Sequence, residues 1–236
     1  MSNERPISLI GAMDSEVEEL LSHSNVEKEI PWNEFTFTKA ELLNKSVVIV
    51  KCGVGKVFAA MVCERLIDEF NPSAVIFTGV GGALNSKLEI GDVVLSKDCV
   101  QHDIDAQALG FSRGEIPYSE HRFFKADKTL ISLALKTKII NTNILEGRIL
   151  TGDQFITRKE MKDHKYLIEE LKGDAIEMEG GAIAQVCELN KIPFLIVRTM
   201  SDKVNGDSVK DFTKFANKVA KNSYLVVSQI LDTIGK

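Results

Sequence analysis

Four consecutive apolar residues at positions 194–197 place the strongest constraint on how this chain can fold. A strand with one face in water alternates apolar and polar residues, whereas a continuous apolar run is typical of a strand that is covered on both faces. Such strands belong mostly to parallel sheets that are enclosed by helices. Residues 193–199 therefore predict a central strand of an α/β protein.

The rest of the chain alternates between short apolar runs and amphipathic stretches. The clearest helix is predicted over residues 55–70, where apolar residues recur every four positions until Asn71-Pro72 ends it. Ser15 and Glu18 have the spacing of a capping box, which predicts a short helix through Leu21. Further helices are predicted at 125–136, 158–171, 177–189 and 208–233, and further strands at 7–13, 35–41, 46–52, 74–78, 93–96, 149–151 and 175–177. This alternation predicts one α/β domain over residues 1–236, with a largely parallel or mixed sheet covered by helices.

Charge and cysteine content exclude several classes of function. The chain carries a net charge of −5, which argues against nucleic acid as a partner because phosphate binding requires a basic surface. An uncharged nucleoside is not excluded. None of the four cysteines forms a C-x-x-C pair, so we expect buried free thiols in a reducing compartment. The four histidines are scattered without ligand spacing, so no metal site is expected.

The first residues of the chain lack the basic and long apolar segments of a secretory signal. No apolar run approaches the ~18 residues that are needed to span a bilayer. We therefore expect a cytoplasmic protein with no membrane partner.

Four acidic residues stand at the ends of apolar strands or the starts of helices: Glu16, Asp153, Glu179 and Asp202. Ligands of open α/β sheets bind at the carboxyl ends of the strands, so these positions are candidates for catalysis. Each has a structural alternative, because acids also cap helices and favour their first turn. Arg198 precedes Asp202 by four residues and is either half of an ion pair or a cation that orients a polar ligand.

Glu177 and Glu179 flank Met178 at the end of a predicted strand, where alternate side chains point to the same side. Two carboxylates on one side repel each other unless they share a ligand, a donor or a proton. A solvated sheet edge is the structural alternative. Gly180 and Gly181 follow and allow a ligand or another backbone to approach closely.

Two glycine-rich turns follow predicted strands. Residues 79–82 can bind an anion through backbone N–H groups, but they form neither a Walker motif nor G-x-G-x-x-G. Residues 53–56 form a similar turn of the kind that is most often structural. No nucleotide cofactor is therefore expected.

The order of these segments resembles that of the 5′-methylthioadenosine/S-adenosylhomocysteine nucleosidases. The resemblance covers nearly the whole chain. It is carried by residues 10–13 with Glu16, 51–56, 78–82, 90–93, 102–103, 110–117, 151–156, 177–179 and 197–202.

The resemblance implies the nucleoside phosphorylase fold, a three-layer α/β/α arrangement with a central mixed, partly barrel-like sheet. It also implies hydrolysis of the N-glycosidic bond of 5′-methylthioadenosine and S-adenosylhomocysteine, with adenine and the 5′-thioribose as products. The nucleoside 5′-deoxyadenosine is a further substrate of the same kind. Water is the nucleophile, and no cofactor or metal is implied.

Three residues take catalytic roles by this resemblance. Asp202 is the general acid that protonates N7 of adenine, Glu16 holds and activates the water, and Arg198 lies near the water and the sugar. An unperturbed Asp titrates near ~3.9, so a working acid must be protonated well above that pH. We therefore expect Asp202 to be shielded from water, which raises a carboxyl pKa, and Glu16 to be ionised.

The resemblance also implies a set of substrate-binding residues. Glu179 binds the ribose hydroxyls, Met178 packs on the sugar, and Phe155 stacks on adenine. The remaining contacts are assigned to Val54 and Phe212 in the 5′ pocket, backbone groups of Ile156 at the purine edge, and Val80, Glu177 and Ser201. A neighbouring subunit closes the 5′ pocket with the loop that contains Ala106, Leu109 and Pro117, so a homodimer is implied.

This chain departs from the family pattern at two places in its core motifs. Val80 stands where the family often has Ser, which removes a hydroxyl that could help to place the water. Gly180-Gly181 replaces a bulkier pair. Ala106 and Leu109 in the 5′ loop also bear on the size of that pocket.

Three alternatives remain open. A purine nucleoside phosphorylase would need cations around phosphate, whereas residues 11–16 offer two acids and no cation. A non-catalytic adenine-nucleoside binding protein would have no reason to keep Glu16, Glu179, Arg198 and Asp202 together. A modified purine nucleoside of a menaquinone pathway would leave the chemistry unchanged.

Overall fold

The computed structural model describes residues 5–157, 159–203 and 208–235, and within 208–218 it describes the backbone alone. The strands are β1 (Ile7–Gly11), β2 (Asn25–Trp32), β3 (Phe35–Leu42), β4 (Lys45–Lys51), β5 (Ala74–Ala83), β6 (Val93–Gln101), β7 (Phe124–Lys125), β8 (Ile144–Thr151), β9 (Ala175–Glu177) and β10 (Phe194–Lys203). The helices are α1 (Asp14–Ser22), α2 (Lys56–Phe70), α3 (Lys128–Ala134), α4 (Tyr166–Glu169), α5 (Gly180–Leu189) and α6 (Ser208–Thr233).

Five strands close into a barrel in the order β5, β10, β6, β8 and β9, with β9 returning to β5. The pairs β5–β10, β6–β8 and β8–β9 are parallel, whereas β10–β6 and β5–β9 are antiparallel. The sheet continues from the first half of β5 through β1, β4 and β3 to β2. The predicted α/β fold with a mixed, partly barrel-like sheet is confirmed.

Strand β10 lies at the centre of this arrangement, as its apolar sequence predicts. Every residue from Phe194 to Asp202 is buried. Helix α6 packs on β10 and β5, and helices α2 and α5 pack on each other. Enclosure by strands and helices explains why this strand carries no alternation of polar and apolar residues.

Helix α2 confirms the predicted helix and shows two apolar faces. Val62 and Leu66 are fully buried, as the four-residue periodicity predicts. Phe58 belongs to the same periodic series, yet it is 40% exposed. Val57 and Met61 are exposed beside it along the helix.

Several local predictions were wrong. Helix α1 begins at Asp14 with Met13 as its N-cap, so Ser15 lies inside the helix and does not cap it. The segment predicted as a helix at 158–171 forms only a short 3₁₀ turn, Glu160–Lys162, and helix α4, while Arg158 lies outside the described residues. Strand β5 does not end at residue 78 but continues through the glycines, because β9 and β10 pair with them. Helix α3 is shorter than predicted at both ends.

All four cysteines are free and buried, as predicted. The Cys63 and Cys187 sulfurs approach to 3.8 Å where α2 meets α5. Within the described part of the chain, no helix combines the length and the apolar character needed to cross a membrane.

Candidate active site

A cleft of about 260 Å³ opens at the carboxyl ends of the barrel strands. Ten residues that the sequence pointed to line it: Glu16, Val54, Val80, Phe155, Ile156, Glu177, Met178, Glu179, Ser201 and Asp202. Six further lining residues were not predicted: Ala12, Met13, Gly81, Gly82, Gln154 and Ile176. Each of these is within four residues of a predicted one, so the motifs located the cleft but not its full lining.

Glu16 stands at one end of the cleft and is 7% exposed. Its Oε2 accepts hydrogen bonds from the backbone N–H groups of Ala12 at 2.6 Å and Met13 at 3.0 Å. Its Oε1 accepts one from the N–H of Val80 at 3.0 Å. Burial raises the pKa of Glu16, although Arg198 and these three N–H groups oppose the shift. The carboxylate is therefore fixed in position and is a stronger base than an exposed Glu.

The contact with Val80 bears on the departure noted in the sequence. The Ser hydroxyl that the family often has is absent, but the backbone N–H of residue 80 still binds Glu16. Gly79 has a separate requirement, because a Cβ there would overlap Glu16 Oε1 and Arg198 Nη1. Strand β5 thus leaves room at Gly79 for the side chains of both Glu16 and Arg198.

Arg198 lies behind the cleft and does not line it. Its guanidinium carbon is 3.9 Å from the centroid of the Phe77 ring, and the side chain is fully buried. Its Nη2 donates to Glu177 Oε2 at 2.5 Å and more weakly to Glu179 Oε2 at 3.4 Å. Within the described part of the chain, its Nε and Nη1 have no hydrogen-bond partner.

Glu177 is bound entirely by neighbouring protein groups. Besides Arg198, its Oε2 accepts from the N–H groups of Glu179 at 3.0 Å and Gly180 at 2.6 Å. Its Oε1 accepts a hydrogen bond from the Thr151 hydroxyl. Glu177 therefore fixes Arg198 and the start of α5. The like charges of Glu177 and Glu179 share a donor in Arg198, which is one of the conditions that the sequence required.

The pair Gly180-Gly181 has a steric explanation. A Cβ on Gly180 would lie 2.9 Å from Ile196 Cγ2, and one on Gly181 would lie 2.8 Å from Thr151 Oγ1. The N–H of Gly181 also donates to Thr151 Oγ1 at 2.6 Å. The first turn of α5 thus packs directly on the residues that hold Glu177.

Strand β9 spans residues 175–177 as predicted, and Glu179 lies beyond it as the N-cap residue of α5, so Glu177 and Glu179 are not alternate residues of one strand. Glu179 Oε1 accepts the N–H of Gly55 at 2.9 Å. Burial raises the pKa of Glu179 to about 7, and the nearby Glu177 adds to the shift, while Arg198 opposes it. Glu179 faces the cleft as a partly protonated carboxyl near neutral pH.

Asp202 stands at the far end of β10 and is 3% exposed, as expected for an acid that is shielded from water. The register between β10 and β5 shifts between Met200 and Asp202, so two consecutive residues, Ser201 and Asp202, reach the cleft. The Ser201 hydroxyl donates to Asp202 Oδ1 at 2.8 Å. Ser201 therefore orients the carboxyl group of Asp202.

The remaining predicted residues form an apolar rim or lie outside the cleft. Phe155 and Val54 are about half exposed, whereas Ile156 is buried. The proposed partner-facing residues do not line the cleft of this chain, and Leu109 is 67% exposed. Phe212 falls in the part of α6 whose side chains lie outside the described residues.

The cleft is suited to an uncharged ligand with an apolar ring and polar hydroxyl groups. Among its described lining residues there is no Lys or Arg, and four are buried carboxyl groups. A phosphate ion would meet these acids without a neighbouring cation in the lining. No group of potential metal ligands occurs among the described residues.

Comparisons with known proteins show the family to which this chain belongs. The model of the Phosphorylase superfamily matches residues 6–232. The chain is 35% identical to a 5′-methylthioadenosine/S-adenosylhomocysteine nucleosidase of Staphylococcus haemolyticus over 97% of this chain and 100% of that protein.

Two solved structures are similar over nearly their whole length. The nucleosidase of the same name from Neisseria meningitidis, in complex with methylthio-immucillin-A, has a TM-score of 0.91 at 32% identity, over 98% of this chain and 100% of that one. The futalosine hydrolase of Helicobacter pylori has a TM-score of 0.90 at 31% identity, over 98% of each chain.

Proposed function

The chain belongs to the 5′-methylthioadenosine/S-adenosylhomocysteine nucleosidase family of the Phosphorylase superfamily, and on this premise we propose that it hydrolyses an adenine nucleoside with a 5′-thio substituent. The products are adenine and the 5′-thioribose. The bond that breaks joins N9 of the purine to C1′ of the sugar.

The position of Glu16 is the observation that carries the proposal. Three backbone N–H groups fix this carboxylate at one end of the cleft, and burial raises its pKa. A carboxylate with a raised pKa accepts a proton from water more readily than an ordinary Glu does. The same carboxylate would repel phosphate, so hydrolysis is favoured over phosphorolysis.

Asp202 supplies the proton for the leaving group in this mechanism. Adenine leaves poorly as an anion, so protonation of N7 accompanies the stretching of the glycosidic bond. The sugar then gains positive charge and is attacked by the water held at Glu16. Burial of Asp202 supports this role, and the hydrogen bond from Ser201 orients its carboxyl group.

The other lining residues bind the two halves of the nucleoside. Glu179 accepts hydrogen bonds from the ribose hydroxyls, or donates one to them when it is protonated, and Met178 packs on the sugar. Phe155 stacks on adenine, and the backbone of Ile156 binds the purine edge. Val54 lines the 5′ pocket, while Arg198, behind the cleft, acts through Glu177 and Glu179 and its own charge.

The functional unit that we propose is a homodimer. Val57, Phe58 and Met61 form an exposed apolar stripe at the start of α2, and Val54, which is also exposed, precedes the helix and extends the stripe. Val54 also lines the cleft, so a partner that covers this stripe reaches the 5′ pocket. We place the partner's loop with Ala106, Leu109 and Pro117 there.

The similarity to the futalosine hydrolase favours a second candidate substrate class. Futalosine hydrolysis would use the same water and the same acid on another purine nucleoside. A 5′ pocket closed by a second subunit would set the preference between the two.

The test is adenine release from 5′-methylthioadenosine in phosphate-free buffer, followed by addition of phosphate. We expect release without phosphate and no increase on its addition, with free 5-methylthioribose as the sugar product. Release of the free base from futalosine is assayed in parallel, and the two kcat/KM values rank the two nucleosides. Release that requires phosphate, with a sugar phosphate as product, would contradict hydrolysis and the role of Glu16.

A further inference from the structure

Three charged side chains meet at the rim of the cleft without lining it: Lys56, Asp103 and Asp153. Lys56 is the first residue of α2, Asp103 follows β6, and Asp153 follows β8. Lys56 Nζ lies 2.7 Å from Asp103 Oδ1 and 4.0 Å from Asp153 Oδ2. The mechanism above uses none of the three.

Backbone groups close this cluster into a ring. The N–H of Lys56 donates to Asp153 Oδ1 at 2.9 Å, and the N–H of Asp153 donates to Asp103 Oδ2 at 3.1 Å. The N-cap residue of α2 is Gly55, which has no side chain to bind the free N–H groups of the first turn. Asp153 supplies the missing cap from a distant segment, where its charge also suits the positive end of the helix.

The N–H of the preceding residue, Gly55, holds Glu179, which lines the cleft. Gly55 donates to Glu179 Oε1 at 2.9 Å, and Lys56 donates to Asp153. Asp153 is two residues before Phe155, so it anchors the loop that faces the purine. Two consecutive peptide groups thus fix both the ribose-facing carboxyl group and the purine-facing loop.

We propose that Asp153 is a positioning residue, which with Lys56 and Asp103 sets the distance between the purine-binding and ribose-binding parts of the cleft. The proposal rests on the hydrolysis of an adenine nucleoside proposed above. Loss of the anchor loosens the purine-facing loop without removing a group that touches the reacting atoms. Substrate binding is therefore affected more than the chemical step.

The experiment measures KM and kcat for 5′-methylthioadenosine in the full-length variants Asp153→Ala and Asp153→Asn. We expect Asp153→Ala to raise KM about tenfold, which is the change in affinity that corresponds to the free energy of one helix cap, while kcat stays within about threefold. Asp153→Asn keeps an oxygen that accepts the Lys56 N–H and recovers most of the loss. Glu69→Ala, which breaks the exposed Arg65–Glu69 pair on the same helix, is the matched control and leaves KM unchanged.

An unchanged KM in Asp153→Ala, an equal rise in the control, or no recovery in Asp153→Asn would overturn the proposal. If thermal melting shows that Asp153→Ala is unfolded, KM is measured instead for Lys56→Met and Asp103→Asn. Both variants keep the hydrogen bond from the Lys56 N–H to Asp153. Each is expected to raise KM about threefold, in line with the loss of a partly exposed ion pair, and unchanged values in both would refute the role.

The outcome is distinguishable from failure of the proposed function. A wild-type protein that releases no adenine refutes the hydrolysis itself. In that case the role of Asp153 is tested by calorimetric titration, which measures the affinity for adenine. We expect weaker binding in Asp153→Ala than in the wild type. Equal adenine affinity in the two proteins would overturn the positioning role.

Discussion

Glu16 and Asp202 illustrate how two carboxyl groups of one cleft receive different environments. Glu16 is bound by three backbone N–H groups, which favour its ionised form, while burial favours the neutral form and raises its pKa. Asp202 is buried at the end of β10 with a hydroxyl donor beside it. Separate acid and base roles for two carboxyl groups follow from such differences in other glycosidases.

The base role of Glu16 leads to a kinetic prediction. Glu16→Gln keeps the size of the side chain but cannot accept a proton, so kcat should fall by about 10²–10⁴, the usual contribution of a general base. In the wild type, kcat should decline on the acid side at a pH above 4.5, the ordinary value for Glu. Steady-state kinetics from pH 4 to 9 would check both, and full activity of the Gln variant would contradict the role.

Glu179 predicts a pH dependence of stability. Its pKa is raised from 4.5 to about 7 by burial, with Glu177 as the second cause. The folded state therefore holds a proton that the unfolded chain has already released, and the free energy of unfolding falls as the pH rises from 4.5 towards 7. This contribution is complete below pH 4.5 and is lost above pH 7.

Glu179→Gln removes that titration. We expect the Tm of the wild type, relative to the variant, to drop by at least about 2 °C between pH 5 and pH 8. Differential scanning calorimetry of both proteins across this range measures the difference. A constant gap between the two Tm values would show that Glu179 titrates normally.

At the scale of elements, the first turn of α5 positions more residues of the site than its glycine-rich sequence suggested. Gly180 donates to Glu177 and Gly181 donates to Thr151, which in turn holds Glu177, and neither position has room for a Cβ. The helix can approach β8 and β10 closely only because these two residues lack side chains. The carboxylate of Glu177 and, through it, Arg198 depend on that approach.

Gly181→Ala tests this packing. The added methyl group would press on Thr151 Oγ1, so the free energy of unfolding should fall by about 1–3 kcal/mol, as for other overpacked sites. Urea denaturation measures the change. Glu188→Ala, on the partly exposed side of the same helix, serves as the control and should cost clearly less; equal losses would mean that the contact with Thr151 is unimportant.

Local patterns predicted most helices and strands, and the failures have physical causes. Strand β2 was missed because its residues are largely exposed and polar, and pairing with β3 holds it in place. The segment around Met161 and Leu167 looked like one helix, but its apolar residues pack as separate turns into a small second core. The extension of β5 depends on partners 90 or more residues away.

The candidate site, like the fold, was predicted in part from the sequence. Acids at strand ends pointed to Glu16, Glu177, Glu179 and Asp202, and the family resemblance supplied the other six of the ten predicted lining residues. The burial of Arg198 behind Glu177 and the cap that Asp153 provides for α2 could not be predicted. Both depend on contacts between segments that the fold, and not the local sequence, brings together.

At the scale of the whole molecule, the closed barrel joins β5 from the first half of the chain to β10 from the last part. The family match extends over residues 6–232. We propose on these grounds that residues 1–236 form one domain. The motifs predicted this fold through their family resemblance, whereas the apolar pattern alone predicted only the α/β class.

The proposed dimer gives a prediction at the same scale. Val57→Asp places a charge in the exposed apolar stripe of α2, where Val57 is 78% exposed, so the dimer should dissociate and kcat/KM should fall about tenfold or more. Sedimentation analysis measures the dissociation of the dimer, and steady-state kinetics on the same preparation measure kcat/KM. Val26→Asp, at a half-exposed valine of β2, is the control; a fully active monomer would contradict the role of the partner loop.

The proposed hydrolysis depends most directly on Asp202 as the acid that protonates the leaving adenine. The decisive measurement is single-turnover adenine release from 5′-methylthioadenosine, without phosphate, by the wild type and by Asp202→Asn, with nucleoside binding measured alongside. We predict that the variant still binds the nucleoside but releases adenine about 10²–10⁴-fold more slowly. Release at the wild-type rate by Asp202→Asn would contradict the mechanism.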